Sequence, residues 1–389
     1  MVKIATVTPY ARNAKKHPDK QLKLIASSLR EYGWRQPIVV DKNNEIIVGH
    51  GRYAAYQKFP DGIKEPWIEV AKDLTPEQVR GYRLMDNKSN ESDWDMELAI
   101  EELKELDALG FDIDLTGFDK DFLIEPDAKD DEIPENVPPK AKLGDLYQLG
   151  EHRVLCGDST KLEDVERLMD GKKADMSFTS PPYNVGHNLG YEGKDSKYAN
   201  SDDNLDNYVD LIVQSTRNAL KYSQESFVNI QFLANNKKDI ILWLADLADR
   251  FKDIFFWKKL QVAPQMADNV ANNQVEIIVL FGHNNNRKWG NKRFHGNFST
   301  YIETKSASGE NENAKIHNAT FPVELPLKFI TQGYKEGSIV LDLFIGTGST
   351  LIAAEKTGRI CYGMELDPKY VDVIIKRWED YTGNKASKQ

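Results

Sequence analysis

Cysteine is scarce in this chain: two residues in 389, Cys156 and Cys361, placed 205 positions apart. That excludes a disulfide-stapled scaffold and a cysteine-based metal cluster, and it fits a reducing compartment. Long apolar runs are missing as well. No stretch approaches the roughly 18 consecutive apolar residues of a membrane-spanning helix, and the opening MVKIATVTPY lacks the apolar core of a secretion signal. The seven histidines make no metal-ligand pattern, so no metal is expected. No segment repeats at a fixed period. These absences lead to the expectation of a soluble cytoplasmic protein with no membrane partner. With 40% hydrophobic residues, 25 Gly and 16 Pro, the composition is globular, and at about 100–200 residues per domain the length allows two or three domains.

The net charge of −10 argues against a nucleic-acid partner only until its distribution is read. Residues 1–90 carry a balance of +6, residues 91–140 a balance of −14, and residues 141–389 a balance of −2. The acidity is local, which leaves basic surfaces available on either side.

Inside the acidic region, AKDDEIPENVPPK (128–140) combines Pro and charge with almost nothing to bury. It reads as an extended, exposed linker, within a boundary segment placed at 126–142. Ahead of it, at 1–125, the pattern is that of a small mixed α/β domain. IVVDKNNEIIVG reads as strand, turn, strand, and GHGRYAAYQKF as a helix opening at Gly49 to Arg52. LTPEQVRGYRLMDNK is a helix with Thr75 as N-cap and Pro76 in its first turn, and WDMELAIEELKEL an amphipathic helix with an acidic face.

From 143 to 389 apolar strands alternate with helical stretches. Strands are expected at 153–158, 174–180, 226–231, 253–257, 275–281, 338–344 and 359–366. Helices are expected at 207–221, 238–251, 322–332, 349–356 and 368–381. Such alternation means βαβ units and a doubly wound, mostly parallel α/β sheet of the Rossmann-like kind. Ligands then bind at the carboxyl ends of its strands.

Two motifs fall at such ends. Thr179-Ser180-Pro181-Pro182-Tyr183-Asn184 follows the strand ADMSF. Two prolines cannot continue a ladder, so the chain turns out as a stiff loop. The loop offers a hydroxyl, a carbonyl at Pro181 and an aromatic ring, a set suited to a flat ligand bearing an amino group. Asp342-Leu343-Phe344-Ile345-Gly346-Thr347-Gly348-Ser349-Thr350 lies between a strand and a helix. Its glycines permit a tight turn and close approach of a cofactor to the helix N-terminus. It lacks the lysine of a phosphate-binding loop. A second strand ends at Glu365, where an acid can hold a ribose hydroxyl. A nucleoside-bearing cofactor with no critical phosphate is indicated, and S-adenosylmethionine answers that description.

T-S-P-P-Y-N, then roughly 160 residues on D-L-F-I-G-T-G-S-T and G-M-E-L-D-P-K-Y, resembles the β-class amino-methyltransferases of DNA. The resemblance spans 143–382. Leu155 to Ser159, with Asp158, is similar to the family's G-D segment, and Phe256-Trp257-Lys258-Lys259-Leu260 to its W-x-K stretch. His317 to Leu325, with Pro322, resembles its H-P-A-x-F-P-x-x-L helix, Asn318 replacing the usual Pro. The resemblance implies Ser180, Pro181, Pro182 and Tyr183 as the catalytic loop. It implies Asp158, Asp342, Phe344, Gly346, Thr347, Gly348, Ser349 and Glu365 around the cofactor, with the turn before Pro322 at its methionine end. The partner would be double-stranded DNA with a flipped target base. Ser before Pro-Pro leans toward N4 of cytosine over N6 of adenine, and neither cysteine stands where C5-cytosine methylation needs one.

Base recognition is expected at 185–204 and 283–315. The second stretch contains the basic HNNNRKWGNKRFHGNFST, with Arg287, Lys288, Lys292 and Arg293. In the first domain, Gln36 to Val40 and Ile47 to Ala55 resemble the ParB/sulfiredoxin-like nucleotide-binding fold. That implies a pocket at Gly49, His50, Gly51 and Arg52. Lys88 and Ser89 after Asp86-Asn87 depart from the family's Glu-Asn-Gln-Arg, so both a bound nucleoside triphosphate and an empty docking module stay open. The pairing of domains is of the kind carried by phages and prophages, in a bacterial host cell, and also fits a restriction-modification setting. A homodimer and a cognate nuclease are left open. So are two other functions: a ParB-like DNA clamp with a vestigial methylase domain, and a methyltransferase of RNA bases.

Overall fold

The computed structural model describes residues 3–13, 15–89, 94–184, 207–233, 235–260, 274–292, 298–305 and 321–389. The chain divides into two compact units, Met1–Leu123 and Ile124–Gln389.

The first unit contains α1 (Asp19–Tyr32), β1 (Ile38–Val40), β2 (Ile46–Val48), α2 (His50–Lys58), β3 (Ile68–Val70), α3 (Pro76–Ser89) and α4 (Met96–Ala108). β1 pairs antiparallel with β2 and parallel with β3. The expected turn between β1 and β2 is closed by Asp41, whose Oδ1 accepts the backbone N–H of Asn43 and of Glu45, both at 2.8 Å. Thr75 caps α3 as the sequence reads. Its hydroxyl accepts from Gln78 N at 3.3 Å while Gln78 Oε1 accepts from Thr75 N at 2.9 Å, a reciprocal pair that satisfies two free donors. Helix α1 was not among the expected elements. It buries Leu22, Ala26 and Leu29, an i, i+4, i+7 stripe diluted by surrounding charge.

The second unit runs β4 (Leu146–Leu149), β5 (His152–Cys156), α5 (Leu162–Met169), β6 (Met176–Thr179), α6 (Tyr208–Tyr222), β7 (Glu225–Ile230), α7 (Lys237–Asp246), β8 (Phe251–Leu260), β9 (Val275–Gly282) and β10 (Tyr301–Lys305). It continues with α8 (Glu324–Gly333), β11 (Ile339–Asp342), α9 (Ser349–Lys356), β12 (Ile360–Glu365), α10 (Pro368–Thr382) and β13 (Ser387–Lys388). One sheet holds its strands in the order β10-β8-β9-β7-β6-β11-β12-β5-β4-β13. The central run β7-β6-β11-β12-β5 is parallel, and β9 and β4 run against it.

Strand alternation covers both faces of this sheet. Phe178, Phe227, Ile278, Leu280, Val340 and Cys361 pack with α8, α9 and α10, while Val228, Ile230, Val279 and Phe281 pack with α6 and α7. Leu341, Tyr362 and Met364 meet α5 on that second side. Both faces are therefore wound with helices, as expected for parallel strands. From β6 the chain builds outward through α6 to β7; from β11 it builds the other way through α9 to β12. The switch point lies between β6 and β11, and both motifs leave the sheet there.

The expected linker departs from the reading at its start. Its first turn is not exposed: Asp130 is 2% exposed and accepts from Lys356 Nζ at 2.8 and 3.1 Å. Its end is held too, since Asp372 accepts Lys140 N at 2.7 Å and Ala141 N at 3.1 Å. Composition shows that the segment has little apolar surface to bury. It does not show that α9 and α10 carry charged partners for its backbone and acids.

Candidate active site

The catalytic loop begins at Thr179, the last residue of β6. Thr179 Oγ1 donates to Asp342 Oδ1 at 2.7 Å. The two motifs, far apart in sequence, thereby become neighbours on adjacent strands. Ser180 Oγ lies 3.2 Å from Tyr183 Oη and donates to the Asn229 carbonyl at 3.3 Å. Asn236 Nδ2 donates to the Tyr183 carbonyl at 2.7 Å, which closes the loop behind the two prolines. Asn184 carries the turn onward with a positive φ of 53°, a conformation asparagine tolerates better than most residues.

Three residues whose role here sequence reasoning missed, Asn229, Glu276 and Lys259, stand behind this loop, and of them only Lys259 stood in a quoted motif. Tyr183 Oη donates to Glu276 Oε2 at 2.7 Å, and Asn229 Nδ2 contacts both Glu276 Oε2 and Tyr183 Oη at 2.7 Å. Glu276 Oε1 forms an ion pair with Lys259 Nζ, which also lies over the Trp257 ring. Glu276 and Asn229 are each 1% exposed. Strand register explains the meeting. Trp257 pairs with Glu276 and Asn229 with Ile278, so the period of two puts Lys259, Glu276 and Asn229 on one face of three neighbouring strands. A charged residue inside the apolar run VEIIVLF was the available signal. Burial, together with the facing Glu276 carboxylate, raises the Tyr183 hydroxyl well above the usual tyrosine range, so it stays protonated and remains a donor.

The expected cofactor residues gather at the carboxyl ends of β5, β11 and β12. Gly157 N donates to the Glu365 carbonyl at 2.9 Å, which brings Asp158 beside Glu365. Asp158 Oδ1 accepts Thr160 N and Oγ1 at 3.0 and 2.7 Å. Glu365 Oε2 accepts Gly346 N at 3.0 Å, and Asp342 Oδ1 accepts Phe344 N at 3.1 Å. Gly346 and Gly348 have φ of 56° and 92°, and a Cβ on Gly346 would meet nothing closer than Phe344 O at 3.9 Å. The loop thus leaves an open cradle over Gly346, while a Cβ on Gly348 would touch Ile374 at 3.5 Å. Ser349 Oγ, in the first turn of α9, is buried and has no hydrogen-bond partner among the described residues. Pro322 is buried just ahead of α8, where Phe321 packs edge-on against Phe178 at 5.5 Å. Burial pushes the carboxyls of Asp342 and Glu365 up to about 6 and about 7 respectively.

The basic segment expected to read base edges is placed elsewhere. β9 runs antiparallel to β7, so the chain leaves Gly282 opposite Glu225, at the amino edge of the sheet. There Arg287 Nε donates to Asp253 Oδ2 at 2.7 Å and Lys292 Nζ to the Thr331 carbonyl at 2.7 Å. Asn291 Nδ2 reaches Asp175 and Ser338, which precede β6 and β11. Arg287, Lys288 and Lys292 therefore stand at the edge of the sheet away from Ser180 and Gly346. The cause is strand direction, which a charge pattern along the chain does not record. Arg293 and residues 185–204 lie outside the described residues, as do 294–297 and 306–315 of the second recognition stretch.

In the first unit Gly49, His50, Gly51 and Arg52 do gather, at the N-terminus of α2. Gly49 has φ of 98°, and a Cβ there would come within 3.3 Å of Arg52 Nη2 and Ile38 Cα. The guanidinium folds back over it, donating from Nη1 to Gln36 Oε1 at 2.7 Å and from Nη2 to the Pro37 carbonyl at 3.0 Å. His50 Nε2 accepts from Tyr10 N at 3.3 Å, and burial, aided by Arg83, pushes its pKa down to about 4. An incoming triphosphate would meet a neutral imidazole and an arginine already committed to Gln36 and the Pro37 carbonyl ahead of β1.

Two outcomes follow from this geometry. Tyr183→Phe removes the hydrogen bond to Glu276, and Glu276→Gln strips the charge from its acceptor, so in a double-mutant cycle of unfolding free energies they should be coupled by about 0.5–3 kcal/mol. Additivity within about 0.3 kcal/mol would mean that the bond is not formed in solution. The second concerns pH. The Glu365 carboxyl holds its proton to about 7 in the fold, against an ordinary value of 4.5. The folded state therefore binds the extra proton between those values, and stability is lost as pH rises through that window. Unfolding followed from pH 5 to 8 should show the wild type declining relative to Glu365→Gln; parallel curves would place the titration elsewhere.

Comparison with known proteins agrees with the motifs. The family model for the N6/N4-type DNA methylases matches residues 174–377. The type II methyltransferase M.HinfI of Haemophilus influenzae is 24% identical over 265 residues, covering 59% of this chain and 69% of that protein. The ParB-like nuclease domain-containing protein YnaK of Escherichia coli K12 is 41% identical over 73 residues, covering 18% of this chain and 80% of YnaK. The type II methyltransferase M.Cfr9I of Citrobacter freundii is 41% identical over 64 residues, and only 21% of its length is spanned. Among solved structures, the cytosine-N4-specific PvuII DNA methyltransferase aligns with a TM-score of 0.45 and 18% identity, covering 59% of this chain and 87% of that one. With the family model matching more than half of its length, this chain belongs to the DNA methylases of the N6/N4 type, and it carries in addition a region of the ParB-like domain family.

Proposed function

We propose that this chain transfers a methyl group from S-adenosylmethionine to an exocyclic amine of a base in duplex DNA, N4 of cytosine being favoured over N6 of adenine. The observation that carries the reading is the hydrogen bond from Thr179 to Asp342, which sets the Ser-Pro-Pro-Tyr loop beside the glycine loop. The open cradle over Gly346 and the unpartnered Ser349 hydroxyl suit a nucleoside-bearing cofactor. Phe344 to Ser349 would enclose it, Glu365 would hold its ribose, and Asp158 would lie near its adenosyl part. When bound, S-adenosylmethionine supplies an electrophilic methyl on a sulfonium.

The chain's own residues do the rest. Ser180 Oγ and the Pro181 carbonyl accept the two hydrogens of the target amine. That localises a lone pair otherwise shared with the ring and aims it for in-line attack. Pro182 keeps the loop stiff. Tyr183, fixed at its hydroxyl, offers its ring to a base drawn out of the duplex. No covalent intermediate is needed, and Cys156 and Cys361, both buried with thiols pushed up by burial, are unsuited to supply one. Serine at the head of the loop is what favours cytosine.

The test uses purified protein, isotope-labelled S-adenosylmethionine, and duplex DNA and RNA offered separately, with nucleoside mass spectrometry as readout. Labelled N4-methylcytosine in DNA is expected. Labelled N6-methyladenine would revise the base, and label confined to RNA would overturn the substrate. Ser180→Ala should lower transfer by roughly 10²-fold or more with cofactor affinity unchanged; full turnover in that variant would remove Ser180 from the mechanism.

A further inference from the structure

We infer that the acidic segment ahead of the methylase sheet braces the cofactor site from behind, with Arg377 and Asp131 as the positioning residues through which it holds the glycine loop and the turn at Pro322. This rests on the reading of the glycine loop as a cofactor site.

The loop's middle residue is Thr347. Its backbone carbonyl accepts Arg377 Nη1 at 2.9 Å, and its hydroxyl lies 3.4 Å from the same nitrogen. The other arm of the guanidinium, Nη2, donates to the Asp130 carbonyl at 2.6 Å. Arg377 is 4% exposed, so one buried fork joins the glycine loop to the segment. Burial pulls its pKa down to about 10 while Asp131 and Asp130 oppose the shift, and at neutral pH it remains a cation.

Asp130 completes the hold from the other side. Its carboxylate takes Lys356 Nζ, and Lys356 is the last residue of α9, the helix that Ser349 opens at the end of the glycine loop. The same carboxylate accepts Asp127 N at 2.6 Å, which closes the turn of the segment on itself. Helix α9 is thus tied to the segment at its C-terminus, and the loop before its N-terminus is tied through Arg377.

Asp131 acts on a different element. Its Oδ1 accepts Val323 N at 2.8 Å. Val323 follows Pro322 and caps α8, where a negative side chain also meets the positive end of the helix. One short turn of chain therefore fixes both the glycine loop and the turn assigned to the methionine end. A segment that only spaced two domains would leave these charges in water. Burying Asp130 and Arg377, with Lys356 half-buried beside them, costs desolvation that apolar side chains of similar size would avoid. Holding binding geometry accounts for keeping them.

The test is calorimetric, on the full chain, well below its unfolding midpoint, with S-adenosylhomocysteine and with adenosine as probes. Asp131→Ala should weaken S-adenosylhomocysteine roughly three- to tenfold, the loss of one hydrogen bond, and leave adenosine within about twofold. Asp131→Asn keeps an acceptor oxygen for Val323 N and should restore most of the affinity. Arg377→Met should weaken both probes, since the glycine loop serves both. Variants that fold and bind both probes as the wild type does would overturn the inference. So would an Asp131→Ala defect that is equal for both probes and not rescued by Asp131→Asn, because that is general destabilisation. A wild type that binds neither probe would overturn the reading of the glycine loop, and the inference with it.

Discussion

A single buried hydrogen bond, Thr179 Oγ1 to Asp342 Oδ1 at 2.7 Å, is the constraint on which the site depends. It can form only because β6 and β11 are adjacent and parallel, and they are adjacent only because the sheet reverses its winding between them. The catalytic loop comes first along the chain and the glycine loop comes much later, yet the sheet makes them neighbours at one carboxyl edge. Asp342 serves both sides of this junction, accepting from Thr179 on one strand and from Phe344 N in its own loop. Its burial raises its pKa to about 6, so an acid that would be spared this cost on the surface is kept inside. A side chain that spans two motifs cannot move outward without uncoupling them.

The central strands and most helices of the second unit were legible because apolar runs of four to eight residues bounded by turns leave few alternatives in a βαβ chain, whereas β4, α5, β10 and β13 were not among the expected elements. The two loops were legible because Pro-Pro and Gly-x-Gly impose backbone behaviour that any sheet must accommodate. What escaped was contact across strands. Glu276 looks like an interruption in VEIIVLF until register sets it against Trp257 and, on the same face, Asn229. Lys259 was seen only as part of a motif and not as the partner of a buried acid. The position of the basic stretch 283–292 escaped for a related reason. Its charge was visible, but the direction of β9, which decides whether it emerges beside Ser180 or at the far edge, is a property of pairing and not of composition.

The first unit teaches the same lesson at a smaller scale. Gly49 to Arg52 do assemble at a helix N-terminus, where backbone N–H groups favour an anion. Yet the arginine that would grip such a ligand is spent on Gln36 and on the Pro37 carbonyl, and His50 accepts a hydrogen bond from Tyr10 in its neutral form. Motif residues specify where a pocket would lie. Whether their donors are free depends on neighbours contributed from elsewhere in the unit, here Gln36 and Pro37 ahead of β1 and Tyr10 near the start of the chain.

Two buried ionic networks stand behind the two loops, Lys259–Glu276–Asn229 behind Tyr183 and Lys356–Asp130 with Arg377 behind Thr347. Neither is an efficient way to stabilise a fold, since each takes charges out of water. What they offer is direction. A carboxylate or a guanidinium fixes the atoms it contacts along defined lines, whereas an apolar contact of equal area constrains them more loosely. Methyl transfer to a weakly nucleophilic amine asks for alignment more than for acid or base strength, because the lone pair must be held toward the reacting methyl while its ring stays in plane. Rigid loops backed by directional contacts meet that demand. On this argument the charges belong behind the loops, where they align them, and a site that only had to bind would have been cheaper to build from the apolar core around it.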